Sequence, residues 1–323
     1  MMKKRILATA LLTVFSGLTL AAPPYGAAAG VPQVEDLTGQ VVPEARGIHW
    51  TRDVAPVVEA ARNQAQQSRA RNPNMTYHNG KVMPTAVTTA IFWGTSWGTY
   101  SGDKITGIDA WYTGYSNSKY SGTVTEYTGT GSPIGKATTY QGHIIDTTAS
   151  TGGGNTGTIL GEVCKAINNH PDASGNGYYP VYTDTPRGNA SYCAWHASGT
   201  CPGNSTALQF AYFFKLDGDA GCDPQDTSGK HSQGLAALAN VTAHELSETR
   251  TDPSTTTATG PGAWYDSAGA ENGDKCGWTF GVPLVTFSDG TQWKLQGEWS
   301  NAAYTLGTGY PNSSGQKGCL SGL

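Results

Sequence analysis

The chain has 323 residues and a formal net charge of −4, and only 14% of its positions are charged. Globular chains average about 25%, and no lysine–arginine cluster follows the first few residues, which excludes nucleic acid as an expected partner. Glycine (43 residues), serine, threonine and tyrosine take the place of charge, a composition common in exported proteins.

The N-terminus reads Lys3, Lys4, Arg5, an apolar run from Ile6 to Leu20, then Ala21-Ala22-Pro23-Pro24. A basic start, a short apolar run and small residues after it predict a secretory signal peptide over residues 1–22. The run is too short for a confident membrane span. The expected product is a secreted, extracellular monomer, free of the membrane once the signal is removed. Residues 23–74 are rich in Ala, Pro, Gln and Asn and read as a linker or propeptide-like arm, with a short helix in DVAPVVEAARNQAQQSRARN (53–72). One domain is expected over 75–323, since about 300 residues suffice for one large core.

Within that domain TAVTTAIFW (85–93) is β-branched and apolar enough for a buried strand. Helical spacing of Ile105, Ile108, Trp111 and Tyr112 predicts a helix over 104–115. Strands are expected at 122–128, 157–160, 179–183 and 208–214, with a further helix at 162–168. The strongest helix runs over 232–250, with Leu235, Leu238, Ala239, Val241 and Leu246 forming an apolar face and Pro253 stopping it. Loops and short strands follow in VPLVTF and TQWKLQGEW. Strands interleaved with a few helices predict an α/β or α+β layered fold.

All six cysteines, Cys164, Cys193, Cys201, Cys222, Cys276 and Cys319, lie beyond residue 160. An even count in an exported chain predicts three disulfides, with about fifteen possible pairings. Proximity and chain order suggest Cys193–Cys201 and Cys276–Cys319.

The chemistry concentrates in HELSETRTDP, residues 244–253. Steps of four along a helix drift by only about 40°, so His244, Glu248 and Asp252 stack on one side, with Glu245 beside them. Imidazole and carboxylates form a zinc donor set, and an adjacent glutamate is what a metal-bound water needs as general base. His244 and Glu248 are the first ligands; Asp252, Asp266, Glu271 and Asp274 are candidates for the third, and Glu245 is the base. His196, His78 and Asp266 are possible accessory groups. The departure is at the fifth position, where zincin peptidases place histidine and this chain has Glu248. Calcium is a second candidate ion for the acidic stretch 266–274, although the spacing is not that of an EF-hand and calcium takes six or more oxygens. A rival site is Gly94-Thr95-Ser96-Trp97-Gly98, a G-x-S-x-G pattern in which Ser96 would need an acid and one of His143, His170, His196, His231 or His244. A third class is binding without catalysis, with Trp97, Trp111, Tyr112 and Trp264 stacking on sugar rings.

Several segments in order resemble one family. YHNGKVM (77–83), IFWG (91–94), SYCAWH (191–196) and TDP (251–253) are similar to the EXORDIUM or phosphate-induced proteins, exported proteins best known from plant cell walls. A bacterial branch is closer, through HExxE-xx-TDP (244–253), AWYD (263–266), ENGDKC (271–276) and LQGEWSN (295–301). The resemblance spans residues 75 to 320. It implies one zincin-like layered domain with a mixed sheet, a central HExxE helix and a loop-rich, disulfide-bonded C-terminal half. It also implies a zinc peptidase acting on peptide or protein, or a non-catalytic protein in contact with cell-wall polysaccharide.

Overall fold

The computed structural model describes residues 45–67, 72–130, 132–256 and 258–323. The expected signal peptide and residues 23–44 lie outside the described residues. Six strands form one sheet: β1 (Arg46–Trp50), β3 (Val87–Trp93), β4 (Thr139–Asp146), β5 (Gly177–Pro186), β6 (Tyr192–Thr200) and β7 (Ala207–Lys215). A two-residue strand β2 (Thr76–Tyr77) pairs apart from them with β8 (Trp264–Tyr265). The spatial order of the large sheet is β1-β6-β7-β5-β3-β4. Neighbours among β4, β3, β5 and β7 run parallel, whereas β6 is antiparallel to both β7 and β1. The sheet is therefore mixed, and β5, β6 and β7 are buried along most of their length. Continuous apolar runs are what strands covered on both faces require. At the edge, β4 alternates half-buried and exposed residues instead.

Four helices pack with this sheet: α1 (Ala55–Gln67), α2 (Lys104–Tyr115), α3 (Thr156–Ala166) and α4 (Gln233–Thr251), and α5 (Asn301–Leu306) follows near the C-terminus. Ser232 starts α4 by accepting the N–H of Leu235, which satisfies one of the orphan donors of a helix start. The helix stops two residues before Pro253, which cannot continue it. Every residue from Gly234 to Thr251 is buried, so this helix crosses the interior, in contact with β1, β6, β7 and α2.

Two expected strands are corrected. Residues 121–124 form a 3-10 turn, in which Ser121, Thr123 and Thr125 turn their hydroxyls onto carbonyls three residues back. Such local bonds compete with a strand ladder. Residues 157–160 belong to α3, which Asn155 caps by accepting the N–H of Thr158. A four-residue apolar run has no period long enough to separate the two structures. That helix also ends earlier than expected, at Ala166, where Asn168 and Asn169 turn left-handed.

Of the proposed disulfides, Cys276–Cys319 is present, while Cys193–Cys201 is replaced by Cys164–Cys201 and Cys193–Cys222. Cys193 and Cys201 lie at opposite ends of β6, about 26 Å apart at strand rise, far beyond disulfide reach. No helix among the described residues is long and apolar enough to cross a membrane. Residues 46–67 pack on the sheet and its neighbours rather than running free as a linker, yet no disulfide ties them down.

Candidate metal centre

Helix α4 brings His244 and Glu248 together as the i,i+4 spacing dictates, with Nε2 and Oε2 3.2 Å apart. Both atoms are buried and neither has a hydrogen bond of acceptable geometry. Two donors each about 2.0–2.1 Å from one tetrahedral ion stand about 3.3 Å apart, so the spacing is one that a shared cation would accept. The third side chain comes from ENGDKC: His244, Glu248 and Asp274 offer ligand atoms within 4.8 Å of one another. A main-chain bond fixes the two segments, the N–H of Asp274 donating to Glu248 Oε1 over 2.7 Å.

A second group, His196 with Glu245 and Glu248, meets the same distance limit deeper inside. His196 projects from β6, and its Nε2 lies 2.9 Å from Glu271 Oε2 and 4.0 Å from Glu248 Oε2. Glu248 is common to both groups. The first borders a cavity of about 210 Å³, whose lining includes His49, Trp50, Arg62, His244, Asp274 and Trp278. The second is fully buried. A catalytic ion needs an open position, which favours His244, Glu248 and Asp274.

Burial dominates the electrostatics. It holds the His244 and His196 imidazoles down at about 4, so both are neutral at pH 7 and able to ligate. Burial, and after it the Glu248 charge, raises the Glu245 carboxyl well above its ordinary value; neither of its oxygens has a hydrogen-bond partner. Glu248 is raised by burial and by Asp274, and Glu271 by burial and by Glu248. Among these carboxylates the nearby cations are Arg62, paired with Asp274 at 3.0 Å, and Arg46, 3.7 Å from Asp252; a divalent cation would add to that positive charge.

Gln296 and His49 belong to the site although the sequence reading did not single them out. The Gln296 amide nitrogen lies 3.0 Å from His244 Nδ1 and donates to the Gly273 carbonyl, and its oxygen lies 3.0 Å from His49 Nε2. An imidazole ligating through Nε2 carries its proton on Nδ1 and needs an acceptor there. A half-turn of the amide presents that oxygen at the expense of the Gly273 contact. Gln296 stands inside LQGEWSN, so the motif marked it. His49 stands in RGIHW, a five-residue stretch with no period or motif to signal a strand.

The other expected residues fall elsewhere. Asp252 leaves the α4 side and caps the helix end, where its carboxylate accepts the N–H of Ala263 and faces Arg46. Glu271 pairs with His196 rather than joining His244. Asp266 is spent on its own loop, accepting the N–H groups of Ala268 and Ala270 and pairing with Lys275 at 2.7 Å. His78 stacks on Tyr265 at 3.7 Å, bonded to Thr76 and away from the cluster.

Ser96 sits with Asp184, which accepts its N–H. The histidines a triad would need are engaged elsewhere: His143 with Asp109, His170 with Asn168, His231 on Trp293, and His196 and His244 in the cluster. Of the proposed sugar-stacking aromatics, Trp97, Trp111 and Tyr112 are buried in the core, while Trp264 is half-buried on β8. Comparison with protein-family models, curated proteins and solved structures gives no match.

Proposed function

We propose that this chain is an exported metal-dependent hydrolase, a zinc peptidase in which His244, Glu248 and Asp274 hold the ion and Glu245 is the general base. One observation carries the reading. An imidazole and two carboxylates from separate segments converge at the inner end of a cavity, with the Nε2 and Oε2 that face each other buried and unpartnered. One neutral imidazole with two carboxylates is a donor set suited to zinc. Zinc bound there would polarise a substrate carbonyl and bring the pKa of a water to about 7. Glu245 would take the proton from the attacking water and return it to the leaving amine. Burial and the Glu248 charge raise the Glu245 pKa above the ordinary glutamate value, the direction that strengthens a carboxylate as a base. Burial keeps His244 neutral, and Gln296 sets its ring.

Export, a place at or near a cell wall and a zincin-like arrangement are part of the same proposal, and they rest on the motif resemblance to EXORDIUM-type proteins alone. The test is the metal content of the purified protein, with casein cleavage measured before and after chelation. Bound zinc near one equivalent and chelator-sensitive cleavage are expected, and Glu245→Gln should keep the zinc and lose turnover. A protein that takes up no metal and cleaves nothing would end this reading.

A further inference from the structure

The segment from Arg46 to Arg62 touches every member of the candidate centre. The main chain of Gly47 passes so close that an added Cβ would overlap Glu248 Oε2 and the His196 ring. Gly47 has φ +50°, in the left-handed region that favours glycine, so the position is restricted twice over. The His49 ring meets the His244 ring edge-on at 4.4 Å. From α1 the Arg62 guanidinium pairs with Asp274 at 3.0 Å, so a cation bound by Asp274 competes with Arg62 for that carboxylate.

β1 is also an edge strand, held antiparallel on β6 by main-chain pairing, a recurrent way for a sheet to take up an extended peptide. Beyond the site, Trp50 is buried and its carbonyl accepts from Trp278 Nε1 at 2.8 Å. The disulfides all join residues from Cys164 onward, so no covalent cross-link ties this segment to the fold.

We infer that Arg46–Arg62 is a built-in occupant of a peptide groove: β1 stands where an extended polypeptide pairs with β6, and other chains reach the centre only when it is displaced. The occupant also defines the ligand. It is an extended polypeptide with glycine over the Glu248–His196 pair and, two positions later, a ring that meets Trp278 edge-on. The groove assignment is independent of hydrolysis; only the consequence for turnover rests on the peptidase reading.

The test uses the full chain with a site-specific protease sequence placed between Gln67 and Thr76, cut after folding. The probe is a fluorescent synthetic peptide of residues 45–67, measured by anisotropy without metal. A tethered occupant competes at a millimolar effective concentration, so the uncut chain should bind probe at least about 100-fold more weakly than the cut, washed chain. A G47V version of the peptide should lose binding to the cut chain, because its side chain meets Glu248 and His196. Equal binding by cut and uncut chains, equal binding of the G47V peptide, or loss of the near-ultraviolet circular dichroism once the segment departs would each overturn the inference. Zinc-dependent cleavage of casein separates the two readings. Equal rates before and after cutting would remove the occupant and leave the peptidase. Gated probe binding with neither zinc uptake nor cleavage would remove the peptidase and leave the groove.

Discussion

Replacing Glu245 with glutamine should make the metal-free protein more stable while removing its turnover. Glu245 is fully buried with neither oxygen hydrogen-bonded, and burial together with the Glu248, Asp274 and Glu271 charges raises its pKa. The folded state therefore binds this proton more tightly than the unfolded chain does. Stability from that proton is complete below the ordinary glutamate value and is lost as pH rises towards the folded value. An unsatisfied buried polar group costs about 1–3 kcal/mol, and more when charged. Glutamine keeps the shape and the buried polar atoms but removes the charge, so only the charge-dependent part of that cost is recovered, on the order of 1 kcal/mol at pH 8 and close to none at pH 4.5. At about 2–4 °C per kcal/mol for a domain of about 150–250 residues, and no more for this one, the melting temperature rises by a few degrees. Scanning calorimetry in chelator at both pH values measures it. The buried histidines titrate in both proteins and cancel in the difference. A variant no more stable at pH 8 than at pH 4.5, relative to the parent, would refute the electrostatic reasoning, and a less stable one would do so more plainly.

Three further outcomes are expected. Gln296→Leu should weaken zinc affinity about 10–100-fold and Gln296→Glu should restore or exceed the parent value, read by competition with a chromogenic chelator, because a ligating imidazole needs an acceptor at Nδ1. Removing the Cys164–Cys201 bridge by double alanine substitution should cost about 4 kcal/mol in denaturant unfolding, the loop-closure value for its 37-residue separation. Ser96→Ala should leave casein cleavage unchanged and stability within about 0.5 kcal/mol, as at other exposed sites; lost cleavage would reinstate a serine mechanism.

Much of the fold was legible where local signals agreed. The helix over 104–115 appears at those bounds, and α4 is displaced by only one residue at each end, because apolar spacing, a serine cap and Pro253 all point the same way. Residues 157–160 were misread because a short apolar run carries no period, and 121–124 because hydroxyls bound backbone locally. The strand β4 escaped notice because TYQGHIID lies at a sheet edge and carries half its residues in polar form.

For the site, the sequence by itself determined one pair. His244 and Glu248 are four residues apart on a helix, and helix geometry alone brings their side chains together. It also offered a pool for a third side chain, with Asp252 first and Asp266, Glu271 and Asp274 after it. Tertiary structure brought a different one, Asp274, beside the pair. Asp252 went to the helix end, Asp266 to its own loop and Glu271 to His196, which left Asp274 beside His244 at the cavity. It also placed β1 across the centre, bringing His49 within reach of a helix that begins almost two hundred positions later. Spacing along a chain reports neighbours within one element; which elements meet depends on how the whole core is buried, and that is decided only when the sheet and helices pack.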